Sequence, residues 1–136
     1  MSVSTIHESE VTMTTHLLSL VNEEYCYLTT TGRKTGNPHE IEIWFCIDNN
    51  SIYLMAGGGE KADWVQNLIQ NPVATIRIGK EIFKVTARFD KDKAEEETVR
   101  NLLADKYNER EKDGSLSEWA QTALPVAFDV FSETHI

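Results

Sequence analysis

HEIEIWFCIDNNSIYLMA, residues 39–56, decides the fold class. Its first half alternates. Ile41, Ile43, Phe45 and Ile47 share one face of an extended chain, and Glu40, Glu42, Trp44 and Cys46 share the other. Asp48-Asn49-Asn50 is a turn signal, and SIYLMA (51–56) reads as the returning strand. Together they predict an antiparallel hairpin.

Working outward, YCYLTTT (25–31) is a strand by its aromatic and β-branched content. After the hairpin the period changes. EKADWVQNLIQN (60–71) has helical spacing, with Trp64, Val65, Leu68 and Ile69 as one apolar stripe and Pro72 as the stop. VATIRI (73–78) and EIFKVTARF (81–89) form a second hairpin around Gly79-Lys80, with Phe83, Val85, Ala87 and Phe89 pointing one way. Residues 90–110 spell an amphipathic helix through Val99, Leu102 and Leu103, with acidic residues at its positive end. GSLSEWAQTA (114–123) is a short helix capped by Ser117 or Ser115, and PVAFDVF (125–131) is a closing strand. Upstream, MTTHLLSLVNE (13–23) can form a short helix with Leu17, Leu18 and Val21 on one side, and residues 1–12 are polar and expected to be loose.

About six strands with helices between hairpins disfavour a doubly wound parallel sheet. They predict a mainly β (α+β) fold: a small, mostly antiparallel barrel with helices outside it or over its mouth. At 136 residues, with no linker or repeat, the chain is expected to be a single domain over 1–136.

The formal net charge is -9, from 13 Lys+Arg and 22 Asp+Glu. That argues against nucleic acid and against anionic membrane as partners, since both need a broad basic face. The apolar runs are too short for a transmembrane helix, and the first residues lack a basic segment followed by an apolar core, so a cytoplasmic location is expected. Cys26 and Cys46 are expected to be buried, reduced thiols. No metal site is expected. His39 and Glu40 would face opposite ways on a strand, and neither His7, His16 nor Cys46 completes a closed ligand spacing. No G-x-S-x-G elbow occurs, and Glu95–Glu97 reads as a solvated helix face.

Against that acidic background, GRKTG (32–36) stands out. Gly32 and Gly36 can let successive N–H groups converge, Arg33 offers a planar fork, Lys34 a point charge and Thr35 a hydroxyl, while Pro38 fixes the entry to the next strand. The turn can be an anion seat or a hairpin tip with its charges in water. It is not a P-loop, because a strand follows and the G-x-x-x-x-G-K-[ST] order is absent. AGGGEKADW (56–64) offers a backbone almost bare of side chains, followed by a helix starting near Glu60–Lys61 that would aim N–H groups at the same space. For Trp64 by itself, burial in the core is the simpler reading.

LTTTGRKTGNP (28–38), the strand ending IWF, LMAGGGEKADWVQNLIQNP (54–72), VTARF (85–89) and LPVAFDV (124–130) come in order across residues 25–131. Together they resemble the deazaflavin (coenzyme F420)-dependent nitroreductase family. The resemblance implies a split β-barrel of the FMN-binding-like superfamily. It also implies a reductase that transfers a hydride from reduced F420 to a small organic acceptor: a quinone, a nitro compound or an enone. F420 carries a phosphodiester and an oligoglutamate tail, and Arg33, Lys34, Thr35 and Gly36 match the family's tail-binding segment, with Pro38 and His39 beside them. Met55, Ala56, Gly57 and Gly58 would lie against the ring, and Lys61, Trp64 and Asn67 would line its ring or phosphate side. Glu42 and Trp44 match cofactor-contacting positions, where better-known members carry Pro and Tyr; His39 stands where they carry Arg. Glu42 is therefore open between a charge partner for Arg33, Lys61 or Arg88 and a group acting on substrate. His39 is open between cofactor contact, proton donor and exposed residue. Of the aromatic residues over the family's substrate position, Tyr107 and Trp119 remain, and Tyr107 is the candidate catalytic acid, with solvent as the alternative proton source. The same fold carrying FMN, or a non-catalytic F420 carrier, are the rival readings. A homodimer is common among related barrels.

Overall fold

A computed structural model describes residues 16–135. The expectations for residues 1–12, and for the first part of a helix over 13–23, lie outside the described residues. Seven strands form one antiparallel sheet: β1 (Cys26–Thr31), β2 (Pro38–Ile43), β3 (Cys46–Asp48), β4 (Ser51–Ala56), β5 (Val73–Ile78), β6 (Glu81–Arg88) and β7 (Leu124–His135). A 3-10 turn covers Gly59–Lys61, followed by α1 (Asp63–Gln70), α2 (Lys93–Tyr107) and α3 (Glu118–Thr122).

The sheet order is β2-β1-β5-β6-β7-β4-β3. Its two edge strands, β2 and β3, are consecutive in the chain and separated only by Trp44 and Phe45. From Ile43 to Cys46 the backbone can span at most about 11 Å. A seven-stranded sheet whose outer edges lie that close must be curled nearly into a tube. This is the split barrel that the motifs implied, with one strand more than the six expected.

The extra strand comes from a break in the opening stretch. The expected continuous strand over 39–47 divides at Trp44–Phe45. β2 pairs with β1 from Cys26↔Ile43 to Thr31↔Pro38, whereas β3 pairs with β4. Only the Asp48–Ser51 end is therefore the predicted hairpin. The strict alternation fails because Phe45 and Cys46 are both buried. Phe45 belongs to the barrel interior, and Cys46 belongs to a second core under α2.

β4 explains why SIYLMA is apolar throughout. Ile52, Leu54 and Ala56 pack into the barrel, while Tyr53 and Met55 pack outward with Val99 and Leu103 of α2. α1 closes the other side through Val65 and Leu68. Ile69, expected in that stripe, is 50% exposed, and Asn67 takes a buried place instead. The α-helix begins at Asp63, after a 3-10 turn, later than the Glu60–Lys61 start expected. Asp92 caps α2 by accepting from the Glu95 N–H, and Ser117, not Ser115, caps α3. At the front of the described chain, residues 16–18 make one helical turn that buries Leu17 but leaves Leu18 half exposed.

Candidate functional site

The GRKTG turn is closed from within. The Gly32 N–H donates to Asn37 O (2.7 Å) and the Gly36 N–H to Gly32 O (2.8 Å). Gly36 has φ +78°, which a side chain would strain. Gly32 serves differently from expectation. Its φ is not positive; a Cβ there would fall 2.6 Å from His39 Nε2, so the residue makes room for the His39 ring. The Asn37 N–H donates to Thr35 Oγ1 (3.2 Å). Of the converging N–H groups the sequence suggested, those of Lys34 and Thr35 are left without a protein acceptor among the described residues.

Asn67 ties this turn to α1 and β1. Its Oδ1 accepts from the Arg33 N–H (3.2 Å) and Arg33 Nη1 (2.8 Å), and its Nδ2 donates to Thr30 Oγ1 (3.0 Å). Its amide oxygen is spent on Arg33 and its amide nitrogen anchors it to β1. The fork's other arm, Nη2, lies 3.0 Å from Asp63 Oδ1, whose side chain is 89% exposed. So Arg33 is not a bare cation. An ion pair with so exposed a carboxylate is worth at most about 1 kcal/mol, and an incoming anion can displace it. Lys34 has no ion pair among the described residues.

These groups line an open cleft of about 520 Å³ that holds Arg33, Lys34, Thr35, His39, Trp64 and Asn67. Gly36 and Pro38 fall outside it, on a smaller hollow of about 210 Å³ that also holds Lys84. The remaining predicted residues gather elsewhere. Glu42, Trp44 and Met55 line a second cleft of about 460 Å³ with Tyr25, Glu109 and Trp119. Gly57 is next to it: a Cβ there would lie 3.6 Å from the Trp119 ring. Ala56 is buried in the barrel, and Gly58 and Lys61 are exposed beside the 3-10 turn and line neither cleft.

Trp44 is held on both sides. Its ring stacks on Tyr107 (4.4 Å, 7° between planes) and meets Trp119 edge-on (5.4 Å, 90°). Tyr107 in turn clamps the β2–β3 break. Its hydroxyl accepts from the Phe45 N–H (3.1 Å) and lies 2.7 Å from Glu24 O, to which it donates. Burial pushes its pKa up. These bonds tie the Tyr107 hydroxyl to the backbone at the β2–β3 break and just before β1. Lys106 grips the same residue, donating to Phe45 O (3.1 Å) over the Phe45 ring, and burial draws its amine down to about 8.

Glu42 does not meet Arg33, Lys61 or Arg88. It accepts from Tyr27 Oη (2.6 Å), its cross-strand partner, and the Arg77 guanidinium lies over the Tyr27 ring at 4.2 Å. Arg88 instead bonds Glu95 (2.7 Å) and Asp129 (3.0 Å). Glu95, the first of the acidic run, is thereby drawn into this network, and its pKa falls to about 2 through the hydrogen bonds from Arg88 and Tyr53. Tyr25, Asp63 and Glu109 escaped the sequence reading: each comes from a loop or element end whose position only the fold sets. Among the described residues, His16, Glu81 and Glu133 place their possible ligand atoms within 4.8 Å of one another, with His16 Nδ1 2.7 Å from Glu133 Oε2.

A sequence model of the F420H(2)-dependent quinone reductase family matches residues 2–129. The chain belongs to that family. It is therefore an F420-dependent oxidoreductase, and F420 is its cofactor. Solved structures agree on the fold. An F420-H2 dependent reductase, FDR-A, is 24% identical, with a TM-score of 0.60 over 79% of this chain and 93% of its own. Another structure, described as an F420 reductase, is 15% identical, with a TM-score of 0.60 over 85% and 94%. HutZ, a haem storage protein from Vibrio cholerae, is 14% identical with a TM-score of 0.63 over 88% and 92%. Identities this low show a shared fold and nothing finer. Within the described residues, no helix of this quinone reductase family member is long and apolar enough to cross a membrane.

Proposed function

We propose that this reductase seats the anionic tail of F420 in the cleft beside the GRKTG turn and reduces a small planar acceptor, of quinone type, near Trp44 and Trp119. The observation that carries the first half is the donor set in one 520 Å³ cleft: a guanidinium aimed by a buried amide, an adjacent free ammonium and two N–H groups without acceptors, in a chain of net charge -9. That chemistry fits a phosphodiester or carboxylate.

When bound, reduced F420 supplies a hydride from its ring. The chain's own contributions follow from position. Arg33 and Lys34 bind the tail, and Asn67 orients the guanidinium fork. Thr35, His39 and Trp64 shape the cleft around it, and Gly36 and Pro38 hold the turn's curve. Ala56, Gly57 and Gly58 leave backbone bare for a flat ring, with Met55 and Lys61 flanking them. Trp44, kept flat by Tyr107, shields the second cleft from water together with Trp119. Solvent is the natural proton source for the reduced acceptor, because the Tyr107 hydroxyl is committed to the backbone. Reduced, buried Cys26 and Cys46 suit a reducing compartment such as the cytoplasm.

Fluorescence titration with F420 and with FMN tests the seat. In Arg33→Ala/Lys34→Ala, Kd for F420 should rise about tenfold or more. Retained FMN binding with no F420 binding in the native chain would overturn the reading. An acceptor panel of quinones, nitro compounds and enones then tests turnover; bound F420H2 oxidised by none of them would mark a carrier.

A further inference from the structure

We infer that the second cleft selects acceptors by charge, with Glu42 and Glu109 turning away anionic ones and admitting neutral or cationic planar molecules. The inference deepens the proposed function and rests on it for the word acceptor, though not for the binding itself. At about 460 Å³ the cleft is within the ordinary range for small-molecule sites. Its walls are rings at right angles, Trp44 and Trp119, with Met55 and Tyr25 completing an apolar surface suited to one flat ring system.

The polar groups are of one sign. Glu42 and Glu109 line the cleft and, among the described residues, no lysine or arginine does. Each carboxylate is held by a neutral hydroxyl: Tyr27 Oη donates to Glu42 (2.6 Å) and Ser117 Oγ donates to Glu109 Oε1 (2.9 Å). Neither is in an ion pair among the described residues, and the nearby cations are engaged elsewhere: Arg100 with Glu96 and Arg77 over the Tyr27 ring. The first cleft carries Arg33 and Lys34 on its lining beside Glu40 and Asp63, the latter paired to Arg33. The two clefts therefore differ in charge: the first, near His39, offers cations, and the second, near Trp44, is lined by carboxylates alone among the described charged residues. An anionic tail is drawn to one, and an anionic acceptor is repelled from the other. Two carboxylates roughly 6 Å from a sulfonate discriminate by about tenfold at low ionic strength, and salt screens the effect.

The test pairs 1,4-naphthoquinone with its 2-sulfonate. Dissociation constants come from tryptophan quenching in the cofactor-free protein carrying Trp64→Phe, so that Trp44 and Trp119 report. The same pair is then compared by kcat/KM with F420H2 in the otherwise native chain. Glu42→Gln and Glu109→Gln keep an acceptor for the Tyr27 and Ser117 hydroxyls, and thermal melts verify that they fold. The ratio of the two constants in each variant cancels the quinones' own differences in hydrophobicity and potential. The expected result is a preference for the neutral quinone that shrinks about threefold in each single variant and about tenfold in the double variant, and that shrinks likewise on raising salt. A ratio unchanged in the double variant overturns the inference, as does quenching by neither quinone. Normal F420H2 turnover with an unchanged ratio sinks the charge selection alone. A protein that binds no F420 sinks the functional reading, while the quenching arm still decides the charge selection.

Discussion

A single amide sets the geometry of the candidate tail seat. Asn67 is 4% exposed and bonds Arg33 twice and Thr30 once, so α1, β1 and the turn meet at one side chain. Removing it leaves the buried Thr30 hydroxyl without this donor and frees the guanidinium to rotate toward Asp63. Asn67→Ala should therefore cost about 1–3 kcal/mol in urea unfolding and weaken F420 binding several-fold, although Asn67 carries no charge. Loss of stability with F420 affinity intact would show that Arg33 is placed without it. In the sequence, Asn67 was legible only through family resemblance, because a polar residue within the apolar spacing of a helix announces no partner. The cations of GRKTG were legible from composition alone. The engagement of Arg33 with Asp63 was not, since it joins residues 30 positions apart.

The break between β2 and β3 lets one stretch of chain serve both edges of the sheet. It is fastened from outside by the last residues of α2: Tyr107 through the Phe45 N–H and Lys106 through Phe45 O. Tyr107→Phe keeps the ring that stacks on Trp44 but removes the hydroxyl. It should lower stability by about 1–2 kcal/mol and leave kcat within a few-fold of the native value. A fall in kcat of a hundredfold or more, with the stability unchanged, would restore Tyr107 as the proton donor. Alternation alone could not reveal the break. IEIWFCI keeps a period of two through Trp44 and Phe45, and the register changes only because α2 covers what would otherwise be a solvent face. Elements with one buried face, such as β6, where buried Phe83, Val85 and Ala87 alternate with exposed Lys84 and Thr86, are legible for the same reason in reverse.

The described residues, taken as a whole, form a curled sheet with two cores, and buried ionisable groups give the stability a pH signature. Burial pushes the Cys26 and Cys46 thiols up to about 12, from an ordinary value of 9.0. The folded chain holds these protons where the unfolded chain has released them. Their contribution is thus present below pH 9 and is lost as pH rises toward 12. Lys106 acts in the opposite sense, because its amine falls to about 8 from 10.5: the penalty for charging it in the fold fades as pH rises between those values. Urea midpoints should fall from about pH 9 upward, and in Cys26→Ala/Cys46→Ala the fall should be shallower. An equally steep fall in that variant would assign the alkaline loss to other groups. By itself the sequence determined the β-rich class, the hairpin around Gly79-Lys80, the anion-seeking turn and, through ordered motifs, the family. Those are local properties: periodicity, backbone freedom and charge over a few residues. Tertiary structure alone decided that β2 and β3 part company, that Arg33 answers to Asn67 and Asp63, that Tyr107 is a clamp, and that Glu42 and Glu109 border one cleft. Each of these depends on which distant surface covers a residue, and curling the sheet until its edges meet is what brings those surfaces together.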